Sequence, residues 1–108
     1  MSIHTRSALF EGTIRPGCEE AFFDLVMAEL MPVWQAMPNA LAVRVLRVAR
    51  REDGAPALVL VQEIDYPSAE AVAEAEASPV RARGAPVMEK LMTLFDGTLR
   101  HVVYRRLA

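Results

Sequence analysis

The spacing of apolar residues predicts four strands and two helical regions along the 108-residue chain. Residues 3–14 alternate between two faces as a strand does, and residues 41–50 and 57–65 are apolar runs of strand length. Residues 19–37 instead carry apolar side chains at helical spacing, and a last strand is expected over residues 99–107. A second helical region before that last strand completes the order strand, helix, strand, strand, helix, strand.

Residues that favour turns and helix starts set the limits of the second helical region. A helix over residues 69–76 follows Ser68, whose hydroxyl group can cap it. The main part of the region is expected over residues 87–95, because a glycine and a proline interrupt the pattern before it. Asp96-Gly97 is expected to end this helix.

Two further signals concern the first helix and the central turn. Pro32 lies inside the first helical pattern and predicts a kink there, because proline lacks a backbone N–H and disfavours the helical conformation of the residue before it. Asp53-Gly54 separates the second and third strands and is a strong hairpin signal.

This order predicts one α+β domain, residues 1–108, of ferredoxin-like βαββαβ type. The strands are expected in an antiparallel sheet in the order 4-1-3-2, with both helices on one face. The second and third strands carry apolar residues on both faces, so the face without helices needs another cover. A second copy of the chain is the simplest cover. It predicts a homodimer whose sheets pair into a barrel. If Val43 or Val103 faces the partner, a charged residue in its place should dissociate or unfold the pair.

Composition bears on partners and on compartment. The chain has 12 basic and 14 acidic residues and a pI of 5.7, unlike the basic surface of a nucleic-acid-binding protein. No apolar stretch is long enough to span a bilayer, and the first residues lack the apolar run of a signal peptide. Cys18 is the only cysteine, so no intrachain disulfide can form. These features predict a cytoplasmic protein without nucleic-acid or membrane partners.

Five short segments match one known group of proteins in their layout. They are Pro16-Gly17 after the first strand, Met37-Pro38 at the end of the first helix, residues 63–68 (Glu-Ile-Asp-Tyr-Pro-Ser), Ser78-Pro79, and Phe95-Asp96-Gly97 before the last strand. In these segments the chain resembles the dimeric α+β barrel superfamily. That group includes antibiotic-biosynthesis-type monooxygenases, small polyketide cyclases, haem-degrading monooxygenases and stress-responsive barrel proteins. The resemblance implies two sheets packed face to face and a ligand pocket between each sheet and its helices.

The sequence predicts neither a cofactor nor a metal ion. A haem-binding relative would need an axial histidine, typically on a helix, whereas His4 and His101 both fall on predicted strands. The chain has no glycine pattern of a nucleotide-binding loop. No cluster of histidine, cysteine and carboxylate residues has the spacing of metal ligands.

Three residues are candidates for catalysis: His101, His4 and Tyr104. The histidines titrate near neutral pH, and either could move a proton if it points into the helix-side pocket. The antiparallel pairing expected of the first and fourth strands brings His4 near Tyr104 or Arg105, and His101 near residues 8–10. A surface or interface position is the alternative for each histidine, and packing is the alternative for the tyrosine.

Seven further residues are candidates for contacts with a substrate. They are Trp34, Tyr66, Arg6, Arg44, Glu63, Met88 and Met92. The aromatic residues could stack on a flat ligand or orient its carbonyl group, and the charged residues sit among apolar neighbours, where a charge needs a partner, a ligand or water. Core packing is the alternative for the aromatic residues and the methionines. Ion pairs between subunits are the alternative for the charged residues.

Two classes of function remain open at this point. The first is a small-molecule enzyme, a cofactor-independent monooxygenase or a polyketide-cyclase-like protein, that acts on an aromatic or polyketide-like substrate. In it a histidine would move the proton, and a tyrosine or arginine would stabilise the developing oxyanion. The second is a non-catalytic homodimeric protein that binds a small apolar ligand or serves as a stress-related accessory protein.

Overall fold

The computed structural model describes residues 2–108. Its strands are β1 (His4–Ile14), β2 (Ala42–Arg47), β3 (Leu58–Tyr66) and β4 (Phe95–Arg105). They form one antiparallel sheet in the order β2-β3-β1-β4. The predicted strand order and the ferredoxin-like α+β class are therefore confirmed.

The helices lie on one face of this sheet. They are α1 (Glu19–Leu25), a π-helical turn (Val26–Leu30), α2 (Met31–Gln35), α3 (Ala69–Ala77), α4 (Pro79–Ala82) and α5 (Ala85–Met92). Ser68 caps α3 as predicted, because its hydroxyl oxygen accepts a hydrogen bond from the backbone N–H of Ala71. The second helical region has three pieces where two were expected, since the interrupted stretch around Pro79 forms a helical turn of its own.

The chain passes Pro32 through a π-helical turn. The sequence predicted a kink at this proline, whereas the structure has the π turn Val26–Leu30 directly before it. Pro32 has no N–H for a carbonyl of the preceding turn, and a wider turn gives its ring room. The proline thus stands in the first turn of α2, where a missing donor costs least.

Strand β4 begins four residues earlier than predicted. Asp96-Gly97 was expected to end a helix, but α5 ends at Met92 and β4 starts at Phe95. Gly97 pairs with Gly12 of β1 in the sheet register. A Cβ atom on Gly97 would lie 2.2 Å from the carbonyl oxygen of Glu11, so the glycine serves a close approach of two strands rather than a turn.

The core fills the space between the helices and the sheet. Its larger cluster centres on three rings, Phe10, Phe22 and Phe95, with centroids 5.7 to 6.2 Å apart. A second cluster contains Ile64 and Tyr66 of β3 and buried residues of α3. Both clusters use the same face of the sheet, so that face is the inner one.

The opposite face of the sheet, here called the open face, has no helix over it. It carries alternate strand residues, namely Thr5, Ser7, Leu9, Arg44, Leu46, Val61, Glu63, Asp65, Val102 and Tyr104. Val43 and Val103 do not meet the condition for testing the partner contact, because both lie on the helix side. Val43 packs against the second core cluster, and Val103 pairs with Arg6 of the inner face.

Candidate functional site

A cavity of about 460 Å³ lies between the inner face of the sheet and the helices. Small residues create it, because Ala8 of β1 lies opposite a wall built largely from alanine and glycine of α3 to α5. Larger apolar residues surround this space. The lining residues are Arg6, Ala8, Leu30, Val33, Trp34, Met37, Gln62, Ile64, Tyr66, Ala75, Glu76, Ser78, Arg81, Ala82, Gly84, Ala85, Met88, Leu99 and His101.

Two polar side chains stand in one row across the floor of the cavity. Ala8 pairs with Gln62 of β3 on one side and with His101 of β4 on the other. The short alanine side chain leaves the space between the two polar groups open. A ligand above Ala8 would therefore reach both groups at once.

Gln62 is a deeply buried polar residue in the floor of the cavity. Only 2% of its surface is exposed, and its Oε1 atom has no hydrogen-bond partner among the described residues. A buried amide oxygen without a partner costs free energy, so native proteins usually satisfy such a group. The Oε1 atom of Gln62 is therefore available to accept a hydrogen bond from a group in the cavity.

His101 lies at the partly exposed end of the cavity. Burial is the main cause that lowers its pKa from 6.5 to about 4, and the positive charges of Arg6 and Arg81 lower it further. Its ring is neutral at neutral pH as a result. One ring nitrogen is then free to accept a proton while the other carries a hydrogen for donation.

Charged groups gather around the same end. Arg6 donates from Nε to Glu76 Oε2 at 3.0 Å, and its side chain is largely buried. Arg81 is exposed, and its guanidinium lies 3.5 Å from the backbone carbonyl oxygen of Glu76. Tyr66 is fully buried beside them, and this burial raises the pKa of its hydroxyl group.

The structure brings five of the predicted site residues into this cavity. They are His101, Trp34, Tyr66, Arg6 and Met88. Met92 instead packs against the larger core cluster, and His4 lies at the start of β1, where its Nδ1 is 3.0 Å from the carbonyl oxygen of Ser2. Neither of these two side chains lines the cavity.

Tyr104, Arg44 and Glu63 lie on the open face, away from the cavity. Tyr104 is three residues beyond His101 in β4, so the two side chains point to opposite faces. Arg44 donates from Nε to Glu63 Oε1 at 2.9 Å. This ion pair lies within one chain, where the sequence suggested pairs between subunits.

Sequence reasoning named Ser78 only as part of the Ser78-Pro79 segment, and it missed three further polar residues of the cavity: Gln62, Glu76 and Arg81. Gln62 carried a signal that could have found it, because it is a polar residue inside an apolar strand and shares the face of Ile64 and Tyr66. The other two sit on exposed turns of α3 and α4 and look like ordinary surface charges in the sequence.

No three histidine, cysteine or acidic residues within 2–108 are grouped so that they could hold a metal ion. None of the helices in that range combines the length and the apolar character needed to cross a membrane.

Comparisons with known proteins find similar structures but no similar sequences. No family model and no curated protein matches the chain. An ethyl tert-butyl ether (EthD) family protein from Bacillus halodurans superposes with a TM-score of 0.77 and 20% identity, over 99% of this chain and 100% of that one. SnoaB, a cofactor-independent oxygenase from Streptomyces nogalater, superposes with a TM-score of 0.66 and 18% identity, over 100% and 96%.

A third match names the fold itself. A DABB family protein with a ferredoxin-like fold from Mesorhizobium loti has a TM-score of 0.72 and 9% identity over the full length of both chains. These matches show that the chain has the ferredoxin-like fold of these proteins, which is the fold that the resemblance implied. They single out no particular member, and a shared fold does not carry function with it.

Proposed function

We propose that the chain is a cofactor-independent small-molecule enzyme that acts on an aromatic or polyketide-like substrate, by oxygenation or by acid–base cyclisation. The observation that carries this proposal is the row formed by Gln62, Ala8 and His101 on the floor of an otherwise largely apolar cavity. The likeness in fold to SnoaB supports the oxygenase alternative. Pockets of this kind, apolar with a few convergent polar groups, are typical of small-molecule sites.

His101 is the proton acceptor in this proposal. Its lowered pKa keeps the ring neutral and able to accept a proton, but it also makes the ring a weak base. A weak base removes protons efficiently only from acidic positions. Phenols and the carbon atoms beside or between carbonyl groups are such positions, and aromatic and polyketide-like compounds contain them.

Gln62 and Arg6 stabilise the anion that forms. The unpaired Oε1 atom of Gln62 can accept a hydrogen bond from a substrate hydroxyl group, and its N–H groups can donate to a substrate oxygen. Arg6 uses its Nε atom to bind Glu76 at 3.0 Å, and its remaining N–H donors add hydrogen bonds to the developing anion. The resulting carbanion or phenolate is the common intermediate of both reactions. It can pass electrons to dioxygen, or it can attack a second carbonyl group of the same molecule.

Deuterium exchange at the acidic C10 position of anthrone tests the shared proton-transfer step. We expect the wild-type protein to accelerate this exchange in D₂O under nitrogen, and H101A to lose about 10²-fold of that acceleration. His4→Ala is the matched control, because His4 lies on the same sheet outside the cavity. Oxygen uptake by anthrone under air then separates oxygenation from cyclisation.

The outcomes of this experiment differ clearly. No acceleration by the wild-type protein, or equal losses in H101A and H4A, would contradict the proposal. Exchange without oxygen uptake would favour cyclisation. A non-catalytic protein that binds a small ligand is the alternative. The low pKa of His101 favours it, because the ring is a weak base. This alternative predicts that anthrone binds without any exchange of its C10 protons.

We also propose that the protein is a homodimer in which a second copy covers the open face. Support comes from the exposed apolar residues Leu46, Val102 and Tyr104 on that face, which are 47%, 39% and 41% exposed in one chain. The same arrangement is implied by the resemblance to dimeric α+β barrels.

A cytoplasmic location belongs to the same proposal. Its support is the single cysteine, Cys18, which is free and leaves no pair for an intrachain disulfide. Fractionation of cells that express the untagged protein tests it, and recovery outside the cytoplasmic fraction would contradict it.

A further inference from the structure

We infer that the ligand of the cavity is an amphipathic organic acid, whose flat apolar body lies inside and whose carboxylate lies at the mouth beside Arg81. This inference rests on the proposed function in that it takes the cavity as the ligand site. It goes further because it names a charge and an orientation for the ligand. Four observations at the cavity lead to it.

The first observation is the charge balance of the lining. Among the described residues that line the cavity, two carry guanidinium groups, Arg6 and Arg81, and one carries a carboxylate, Glu76. Glu76 is engaged by Arg6 at 3.0 Å. One positive charge is therefore left over.

The second observation concerns where that charge is located. Arg81 makes no ion pair with a described residue, and its one hydrogen bond is a long contact of 3.5 Å to the backbone carbonyl of Glu76. Its side chain is exposed and also lines the cavity, so it stands at the mouth. A guanidinium group offers a planar pair of N–H donors that matches a carboxylate.

The third observation is the neighbouring histidine. His101 lines the same part of the cavity and is neutral at neutral pH, so it adds a hydrogen-bond donor without adding charge. Arg6 and Arg81 line the same space as His101, and their positive charges lower its pKa further. An anionic group in that space would meet all three residues.

The fourth observation is the apolar interior. Leu30 and Ile64 are buried, and Trp34 and Met88 complete a wall without charge. A charged group would lose its hydration there with no compensating partner. The acid must therefore enter with its apolar body first.

A matched pair of ligands tests this inference on the intact protein. The probes are 2-naphthoate and 2-naphthamide, which share one aromatic body and differ in charge. Trp34 is the only tryptophan of the chain and lines the cavity, so its single indole N–H signal in a ¹H–¹⁵N spectrum reports occupancy. We expect the acid to bind about fivefold more tightly than the amide at low salt, with a smaller difference at high salt.

Two arginine variants locate the effect. R81Q is expected to remove the preference for the acid, whereas R83Q is expected to keep it. Arg83 is the matched control because it is exposed on the same short segment and does not line the cavity. Both residues are exposed, so neither change should affect folding.

Each result of this experiment has a defined meaning. Equal affinities of acid and amide in the wild-type protein, or equal losses in R81Q and R83Q, would overturn the inference and leave the proposed enzyme intact. Failure of both probes to shift the Trp34 signal would overturn the inference together with the proposed function. Loss of the preference in R81Q alone would support the inference.

Discussion

Asp65 is the centre of a hydrogen-bonded cluster on the open face. Its carboxylate accepts hydrogen bonds from the Thr5 hydroxyl at 2.7 Å and from two nitrogens of Arg44 at 2.7 and 2.8 Å. Only 8% of Asp65 is exposed. The bonds from Arg44 are the main cause that lowers the pKa of Asp65, and the same contacts raise the pKa of Arg44. The cluster therefore stabilises the folded state while the carboxylate is charged.

The substitution R44Q should lower the free energy of unfolding by about 1–2 kcal/mol at neutral pH, because it leaves a mostly buried carboxylate without its strongest donors. Asp65 has a lower pKa in the folded than in the unfolded chain. Its contribution is thus present above the ordinary value of 3.8 and is lost as the pH falls through the folded value. Urea unfolding at several pH values measures both effects.

R15Q provides the control for this prediction. Arg15 pairs with Asp96 at 3.0 Å, but both side chains are more than half exposed. An exposed pair of this kind contributes about 0–1 kcal/mol. A loss in R44Q no larger than in R15Q, or an acid profile of R44Q that matches the wild type, would refute the stabilising role of the cluster.

At the scale of elements, β1 and β4 approach closely where two glycines face each other. Gly12 has a φ of 150°, and a Cβ atom there would lie 2.2 Å from the carbonyl oxygen of Asp96. On Gly97 such an atom would lie 2.2 Å from the carbonyl oxygen of Glu11. This contact lets β4 begin at Phe95 and brings that ring into the core. The Asp96-Gly97 motif, which resembles a helix end in the sequence, therefore serves the pairing of β4 with β1, a strand distant in the sequence.

G97A should destabilise the protein by about 2–3 kcal/mol, because a methyl group would force the two strands apart and disturb Phe95. G84A is the control. A Cβ atom on Gly84 would meet its nearest neighbours at 3.5 to 3.7 Å, which is ordinary contact, so its effect should stay within about 0.5 kcal/mol. Thermal and urea unfolding compare the two variants, and similar losses in both would contradict the close approach.

For the whole molecule, the decisive feature is the difference between the two faces of the sheet. Helices bury the inner face, while the open face combines the polar cluster around Asp65 with the apolar residues Leu9, Leu46 and Val61. In the proposed dimer the apolar part would be buried by the partner. The cavity would stay between the sheet and helices of each copy.

Adjacent valines of β4 test this assembly. Val102 lies on the open face and Val103 on the helix side, and both are exposed in one chain, at 39% and 46%. V102E should weaken the dimer by at least about tenfold, because it places a charge in the apolar contact, whereas V103E should leave it intact. Sedimentation equilibrium over a range of concentrations measures this difference. A monomeric wild-type protein, or equal weakening by both variants, would contradict the dimer.

The sequence by itself determined the kinds and the order of the elements. Alternation and helical spacing reflect which side chains must be buried, so they identified four strands and two helical regions. Antiparallel order then placed His101 near residues 8–10, and in the structure it pairs with Ala8. The first and last residues of the helices and strands were predicted less accurately. The helix geometry before Pro32 and the strand pairing of Gly97 depend on contacts that a local sequence pattern does not show.

Only the tertiary structure decided which residues form the cavity. Residue type suggested His101 and Trp34, and both line it, whereas Gln62 and Arg81 were missed. The space exists because Ala8 and several small residues of distant helices happen to face one another. No single segment contains that information.

The tertiary structure also decided which face of the sheet is covered. A strand with apolar residues on both faces does not reveal where the helices lie, and neighbouring residues always point to opposite faces. Val103 therefore lies on the inner side, while Tyr104, a candidate for catalysis in the sequence, lies on the open side away from the cavity. Periodicity specifies that two faces exist, and only packing against the helices distinguishes one from the other.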